Sequence, residues 1–283
     1  MIKLLFAFIL SGILFGQSVH TDEDVRICNQ KFVLANSLDL KEKPINKIFT
    51  EIAKSFIGIE YAANTLQNEN KEELRIHLTG LDCYTFVEAA LVFSRNIKRS
   101  KTGFSDFESE LENVRYRNGK LGDYTSRLHY FSDWLFEMDK REIIDLVTKD
   151  IGGEKYEKRI NFMSAHPQYY KELKNNPVFV KKMSVIENEM NKRNYFYINQ
   201  LDIEKNESKL KSGDIIGITT SIKGLDISHV GIAVKMSDDR IHFLHAPVSG
   251  KKIQITKLPL SDYIKKNKKQ IGIMVGRIRE IKK

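Results

Sequence analysis

One cysteine and two histidines, Cys83, His229 and His245, have the residue types and settings that nucleophilic chemistry needs. Cys83 opens the stretch Cys83-Tyr84-Thr85-Phe86, in which Phe86, Ala90, Phe93 and Ile97 recur as one helical stripe. Gly80 permits a sharp entry and Asp82 reads as the N-cap, so the thiol is expected at the positive end of a buried helix. A free thiol titrates near about 8.5 and attacks poorly at neutral pH; a helix N-terminus and an imidazolium both favour the thiolate, so a lowered pKa is expected. His229 lies in a period-2 segment, 228–234, that sets Val230, Ile232 and Val234 on one face and His229, Gly231 and Ala233 on the other. Two residues with almost no side chain accompany the imidazole, and theirs is the face expected to admit the Cys83 helix.

The next strand holds His242 and His245, three apart and therefore on opposite faces. His245 ends that strand just before Ala246-Pro247 and is the candidate for the site; His242 is expected at the rim or in solvent. In such a set His229 takes the thiol proton and returns it to the leaving amine, His245 fixes the tautomer of His229, and the Cys83 N–H stabilises the oxyanion. Two alternatives stand beside this reading of Cys83: a disulfide with Cys28, the other cysteine, or a small buried apolar side chain. A zinc centre is opposed by the lack of a His-Glu-x-x-His or paired-cysteine motif, so no metal and no cofactor is expected.

The elements that position these residues follow from periodicity. Ile45, Ile48, Phe49, Ile52 and Phe56 mark a helix behind Pro44, and Gly58 breaks it and carries Tyr61 into a loop. Tyr61 reads either as a hydroxyl lining the cleft beside Cys83 or as an ordinary half-buried tyrosine. Residues 104–200 read as mainly helical, with stripes at Phe104, Phe107, Leu111 and Val114, at Leu128, Phe131 and Leu135, and at Val180, Met183, Ile186 and Met190. The charged text at 203–211 marks a surface connection. Beyond Ser212 the period becomes 2, with strands expected at 215–219, 228–234, 240–245 and 272–278. Helices first and strands afterwards indicate an α+β fold with an antiparallel sheet.

The chain of 283 residues carries 46 Lys+Arg against 37 Asp+Glu, a net charge of +9, with a mean hydropathy of −0.37. That balance favours anionic surroundings. Lys3, the apolar run 4–15 and Gly16-Gln17-Ser18 have the parts of a secretory signal peptide covering 1–18, too short to span a bilayer comfortably. A periplasmic or secreted protein with no stable membrane insertion follows as the expectation. Charged Asp22, Glu23, Asp24 and Arg26 separate Cys28 from the apolar run, so no lipid anchor is implied. The scattered basic residues, with no recognition motif, argue against nucleic acid.

The segments Leu81-Asp82-Cys83-Tyr84-Thr85-Phe86, Ser228 through Val234 and Ile241-His242-Phe243-Leu244-His245-Ala246-Pro247 resemble the NlpC/P60 superfamily of papain-like cell-wall peptidases. Tyr116-Arg117-Asn118-Gly119 and the run 124–134 are similar to its DUF1460 branch, the N-acetylmuramoyl-L-alanine amidase-like family. The resemblance spans roughly 45–280 and implies a papain-like fold: one catalytic domain at 19–283 with a mainly helical insertion at about 104–205. It implies Cys83 as nucleophile, His229 as base and His245 as orienting residue. The substrate it implies is a peptidoglycan fragment, above all a 1,6-anhydro-muropeptide, cut at the amide between N-acetylmuramic acid and L-alanine. Tyr84 and Thr85 stand where the wider superfamily has Ser and Gly after the cysteine. Tyr61, Asp82, Tyr124, Arg127 and His129 are the candidate substrate contacts, Arg127 because its fork can bind both oxygens of a carboxylate. The competing activities are a γ-D-glutamyl-diamino acid endopeptidase with the same triad and a non-catalytic envelope-binding protein with Cys83 locked to Cys28.

Overall fold

The computed structural model describes residues 18–67, 71–248 and 251–281; the leader read at 1–18 lies outside them except for Ser18. No helix among the described residues is long and apolar enough to cross a membrane. The first half is helical: α1 (Asp22–Ser37), α2 (Ile45–Lys54), α3 (Cys83–Lys98), α4 (Phe104–Arg115) and α5 (Phe131–Lys140). Then come β1 (Ile144–Leu146), β2 (Glu154–Lys155), the short α6 (Phe162–Ala165) and α7 (Lys171–Lys174), and α8 (Pro177–Met190). The remainder is β3 (Phe196–Asn199), α9 (Ile203–Asn206), β4 (Asp214–Thr220), β5 (Ile227–Lys235), β6 (Ile241–His245), β7 (Gln254–Ile255), α10 (Leu260–Lys265) and β8 (Gln270–Ile278).

The strands form one antiparallel sheet in the order β2-β3-β8-β4-β5-β6-β7, with β1 also paired to β8. The α+β reading is thus met, but the helical stretch expected at 104–200 contains β1, β2 and β3. Strands of two to four residues are too short to show a period, and β1 and β3 gain their stability by pairing with the long β8. Leu128 is core without being helical, because α5 begins at Phe131. The connection at 203–211 is not purely surface either: Ile203 is fully buried and Glu207 is held by Arg240.

Both faces of the sheet are covered, so its central strands are apolar on both sides. Val230, Ile232 and Val234 of β5 join the large core built with α2 and α3, whereas Ala233, Ile216, Ile218 and Phe243 join a second core with Leu260 and Ile264 of α10. The Cys83 helix therefore packs on the branched face of β5, not on the glycine face as expected, since three β-branched side chains bury more apolar area than Gly231 and Ala233 offer. Gly231 serves a neighbouring strand instead: a Cβ there would lie 2.6 Å from the Leu244 carbonyl oxygen and 2.7 Å from the Phe243 ring. The β4–β5 register slips between Ile218↔His229 and Thr219↔Ile227, which leaves Ser228 as an extra residue just before His229.

Gly231→Ala should lower stability by about 1–3 kcal/mol, the usual cost of forcing extra volume into a packed interior. Urea unfolding measures it; an unchanged midpoint would contradict the close approach of β5 and β6.

Candidate active site

The start of α3 is fixed by a reciprocal cap. Asp82 Oδ1 accepts the N–H groups of Tyr84 (3.0 Å) and Thr85 (2.8 Å), while the Asp82 N–H donates to Thr85 Oγ1 (3.0 Å). The cap satisfies the N–H groups of Tyr84 and Thr85 and leaves that of Cys83 outside it. Backbone N–H groups of Val230, Cys83 and Tyr84 lie near enough to the sulfur to favour its negative form, so α3 meets β5 one residue past His229. Cys83 is half-buried and Cys28, on α1, is fully buried; both are unpaired.

His229 Nε2 and His245 Nδ1 share a hydrogen bond of 2.7 Å, which leaves Nδ1 of His229 outside that bond. The two rings stand at 85° with centroids 5.0 Å apart. Phe243, between them in sequence and space, stacks on His245 at 4.9 Å and meets His229 edge-on at 5.7 Å. His245 is only 2% exposed. His242, expected at the rim, is 6% exposed and held between the Thr256 carbonyl (2.8 Å) and Asp238 (2.9 Å), a structural role on the other face of β6.

Burial dominates the electrostatics. It pushes the Cys83 thiol up to about 12, with the Asp82 carboxylate adding to the effect and the three N–H groups opposing it. Burial likewise lowers His229 to about 4 and His245 to about 3, the latter helped by His229 and Lys251. The lowered thiol pKa expected from the helix terminus is thus not found: desolvation outweighs the dipole, and the resting groups are a neutral thiol and neutral imidazoles.

The segment carrying Tyr61 is laid between the approach to α3 and the segment after β6. Leu81 N–H donates to the Glu60 carbonyl (3.1 Å) and Tyr61 N–H to the Lys251 carbonyl (3.0 Å). A Cβ on Gly80 would lie 2.7 Å from that of Ala62, which is why the entry to α3 carries glycine. Burial, then the nearby Cys83 and Asp82, raise the Tyr61 phenol pKa, so Tyr61 borders the sulfur. Asp82 is occupied as the cap.

Tyr124, Arg127 and His129 form a separate cluster. The His129 ring nitrogen Nε2 bonds the Tyr124 carbonyl at 2.7 Å, their rings lie 4.3 Å apart, and the Arg127 guanidinium sits 5.3 Å from the Tyr124 ring centre. Arg127 is already engaged by Glu72 (3.4 Å) and the Leu66 carbonyl (3.0 Å). Among the described residues none of the three bonds to Cys83, His229 or His245; the link is Tyr84, whose hydroxyl donates to the Leu128 carbonyl at 2.7 Å. Tyr124 instead lines a groove of about 440 Å³ with Phe179, Asn175, Asn176 and Glu172. Two residues at the site escape sequence reading. Phe243 lies on the strand of His245, and Tyr263 on α10 has its phenol pKa raised by burial and by Cys83. The i, i+3, i+4 spacing of Leu260, Tyr263 and Ile264 was the available signal for that short helix.

The model of the N-acetylmuramoyl-L-alanine amidase-like family matches residues 51–273. A solved N-acetylmuramoyl-L-alanine amidase from Bacteroides uniformis is 34% identical, with a TM-score of 0.78 over 83% of this chain and 100% of that one. A Bacteroides fragilis protein named as a xylanase candidate is 36% identical, with a TM-score of 0.75 over 80% and 98%. A Legionella pneumophila protein of the DUF1460 family shares the fold at 19% identity, with a TM-score of 0.70 over 92% and 96%. No curated protein matches the chain.

The depressed histidines tie stability to pH. An unfolded imidazole binds its proton near the ordinary 6.5, the folded ones only near 4 and 3, so the unfolded state holds more protons in between and stability falls as pH drops from 6.5 toward 3. Urea midpoints should be lower at pH 4.5 than at pH 7, a fall that is smaller in His245→Asn. An equal fall in the variant would refute burial as the cause.

Proposed function

Because this chain belongs to the N-acetylmuramoyl-L-alanine amidase-like family, we propose that it hydrolyses the amide between N-acetylmuramic acid and L-alanine in peptidoglycan fragments, with Cys83 as nucleophile. The observation that carries this reading is the 2.7 Å bond between His229 and His245, one residue along β5 from where the start of α3, with its half-buried and unpaired Cys83, meets that strand. His229 Nδ1 takes the thiol proton as Sγ attacks the lactyl carbonyl carbon, and Nε2–H donates to His245 Nδ1, steadying the imidazolium. The tetrahedral oxyanion meets the Cys83 N–H. Its collapse breaks the C–N bond, and His229 gives the proton to the departing L-alanine nitrogen. Water, deprotonated by His229, then cleaves the thioester and restores the thiol. Tyr61 borders the scissile group, and Arg127, Tyr124 and His129 order the loop next to Tyr84.

The helix that starts at the nucleophile and docks on an antiparallel sheet supports a papain-like arrangement of the NlpC/P60 type, with 19–283 as one catalytic domain and about 104–205 as its insertion. The expected leader and the polymer substrate together support a location outside the cytoplasm. Glycan cleavage by a xylanase fits the site poorly: it uses two carboxylates flanking the bond, whereas the carboxylate beside Cys83 is the helix cap Asp82.

Mass analysis of products from defined anhydro and reducing muropeptides tests the reading. Release of peptides with a free N-terminal L-alanine is expected, faster from the anhydro form; an intact muramoyl-dipeptide product indicates the γ-D-glutamyl endopeptidase instead. Cys83→Ala should lower kcat/KM by about 10⁴-fold or more and His229→Ala nearly as much, while His245→Ala keeps more of the rate. A wild-type-like rate in Cys83→Ala or His229→Ala overturns the mechanism.

A further inference from the structure

His245 makes one hydrogen bond with its ring among the described residues, that to His229, and one bond leaves an imidazole free to swing about its side-chain torsions. Two aromatic rings remove that freedom. Phe243 lies against the His245 face, its ring tilted by 25° at 4.9 Å. Tyr263 closes on His245 edge-first at 5.3 Å and 65°, and also touches Phe243 at 5.8 Å. Tyr263 is half-buried and rests on α10, which is anchored by the buried Leu260 and Ile264. Phe243 is carried by the strand of His245 itself, whereas Tyr263 comes from a different element and locks the imidazole from outside its own strand.

We propose that Tyr263 is a positioning residue for the reaction: its ring braces His245, and through it sets the orientation of His229 toward Cys83. This rests on the reading of Cys83, His229 and His245 as the reacting set. A flat ring does this where an aliphatic chain does not, because it fills the slot with two torsions and excludes water from the imidazole edge. The groups facing His245 are His229 from β5, Lys251 from the segment after β6 and the neutral Tyr263 phenol from α10; Cys83 lies within electrostatic reach of that phenol. Removing the ring hydrates His245 and returns its affinity for a proton toward that of a free imidazole.

Histidine ring resonances followed by NMR across pH 3–8 in wild type, Tyr263→Phe and Tyr263→Leu decide the matter without substrate. The Leu variant should raise the His245 midpoint by about one pH unit or more, and the Phe variant should leave it within about 0.3. With muropeptide, kcat should fall about tenfold in Tyr263→Leu at unchanged KM and recover in Tyr263→Phe. A His245 midpoint unmoved in the Leu variant, or moved equally in the Phe variant, overturns the inference. The midpoints decide it even if the chain releases no L-alanine peptide, in which case the reading of the activity fails separately.

Discussion

The seating of the first turn of α3 on the backbone of β5 is the contact on which the site depends. The Asp82 cap fixes where the helix begins, and the Cys83 sulfur lies close to the Val230 N–H of β5. Every residue of α3 from Thr85 to Ile97 is buried, so a shift of the helix would disturb the whole large core. Beyond apolar packing, Glu88 on α3 is held by Arg115 from the end of α4 at 3.0 Å, and Tyr84 by the Leu128 carbonyl. Removing one partner of such a buried pair leaves an uncompensated charge, which makes the seating hard to displace.

Burial gives that seating its chemical character. The sulfur and both imidazoles are held in surroundings that oppose charge, while nearby backbone N–H groups favour a negative sulfur. Fixed dipoles of this kind need no reorganisation when charge develops, and they act more strongly where water is scarce. The bulge at Ser228 contributes geometrically, because an extra residue immediately ahead of His229 resets which way the following side chains project.

The segment between α4 and β4 serves the site indirectly. It adds β1 and β3 to the edge of β8 and supplies the 124–129 turn, where Tyr124, Arg127 and His129 interlock. Asp133 shows the same habit: it receives Arg117 and Arg193 and ties the motif at 116–119 to α5 and the end of α8. Residues that read in sequence as recognition elements thus hold one another first. The groove beside Tyr124 and Phe179 borders that cluster at Tyr124.

The sequence by itself determined the helix begun by Cys83, its Asp82 cap, the period-2 strands with His229 and His245, and the α+β class, because each rests on spacing and capping within a few consecutive residues. It also separated His242 from His245, since strand alternation is local. What only the tertiary structure decided involves partners far apart in the chain: which face of β5 receives α3, the burial of His242, the neutral state of the thiol, the strands β1 and β3, and the approach of Tyr263. Packing area and desolvation are sums over neighbours from many segments, and no short stretch of residues contains those sums.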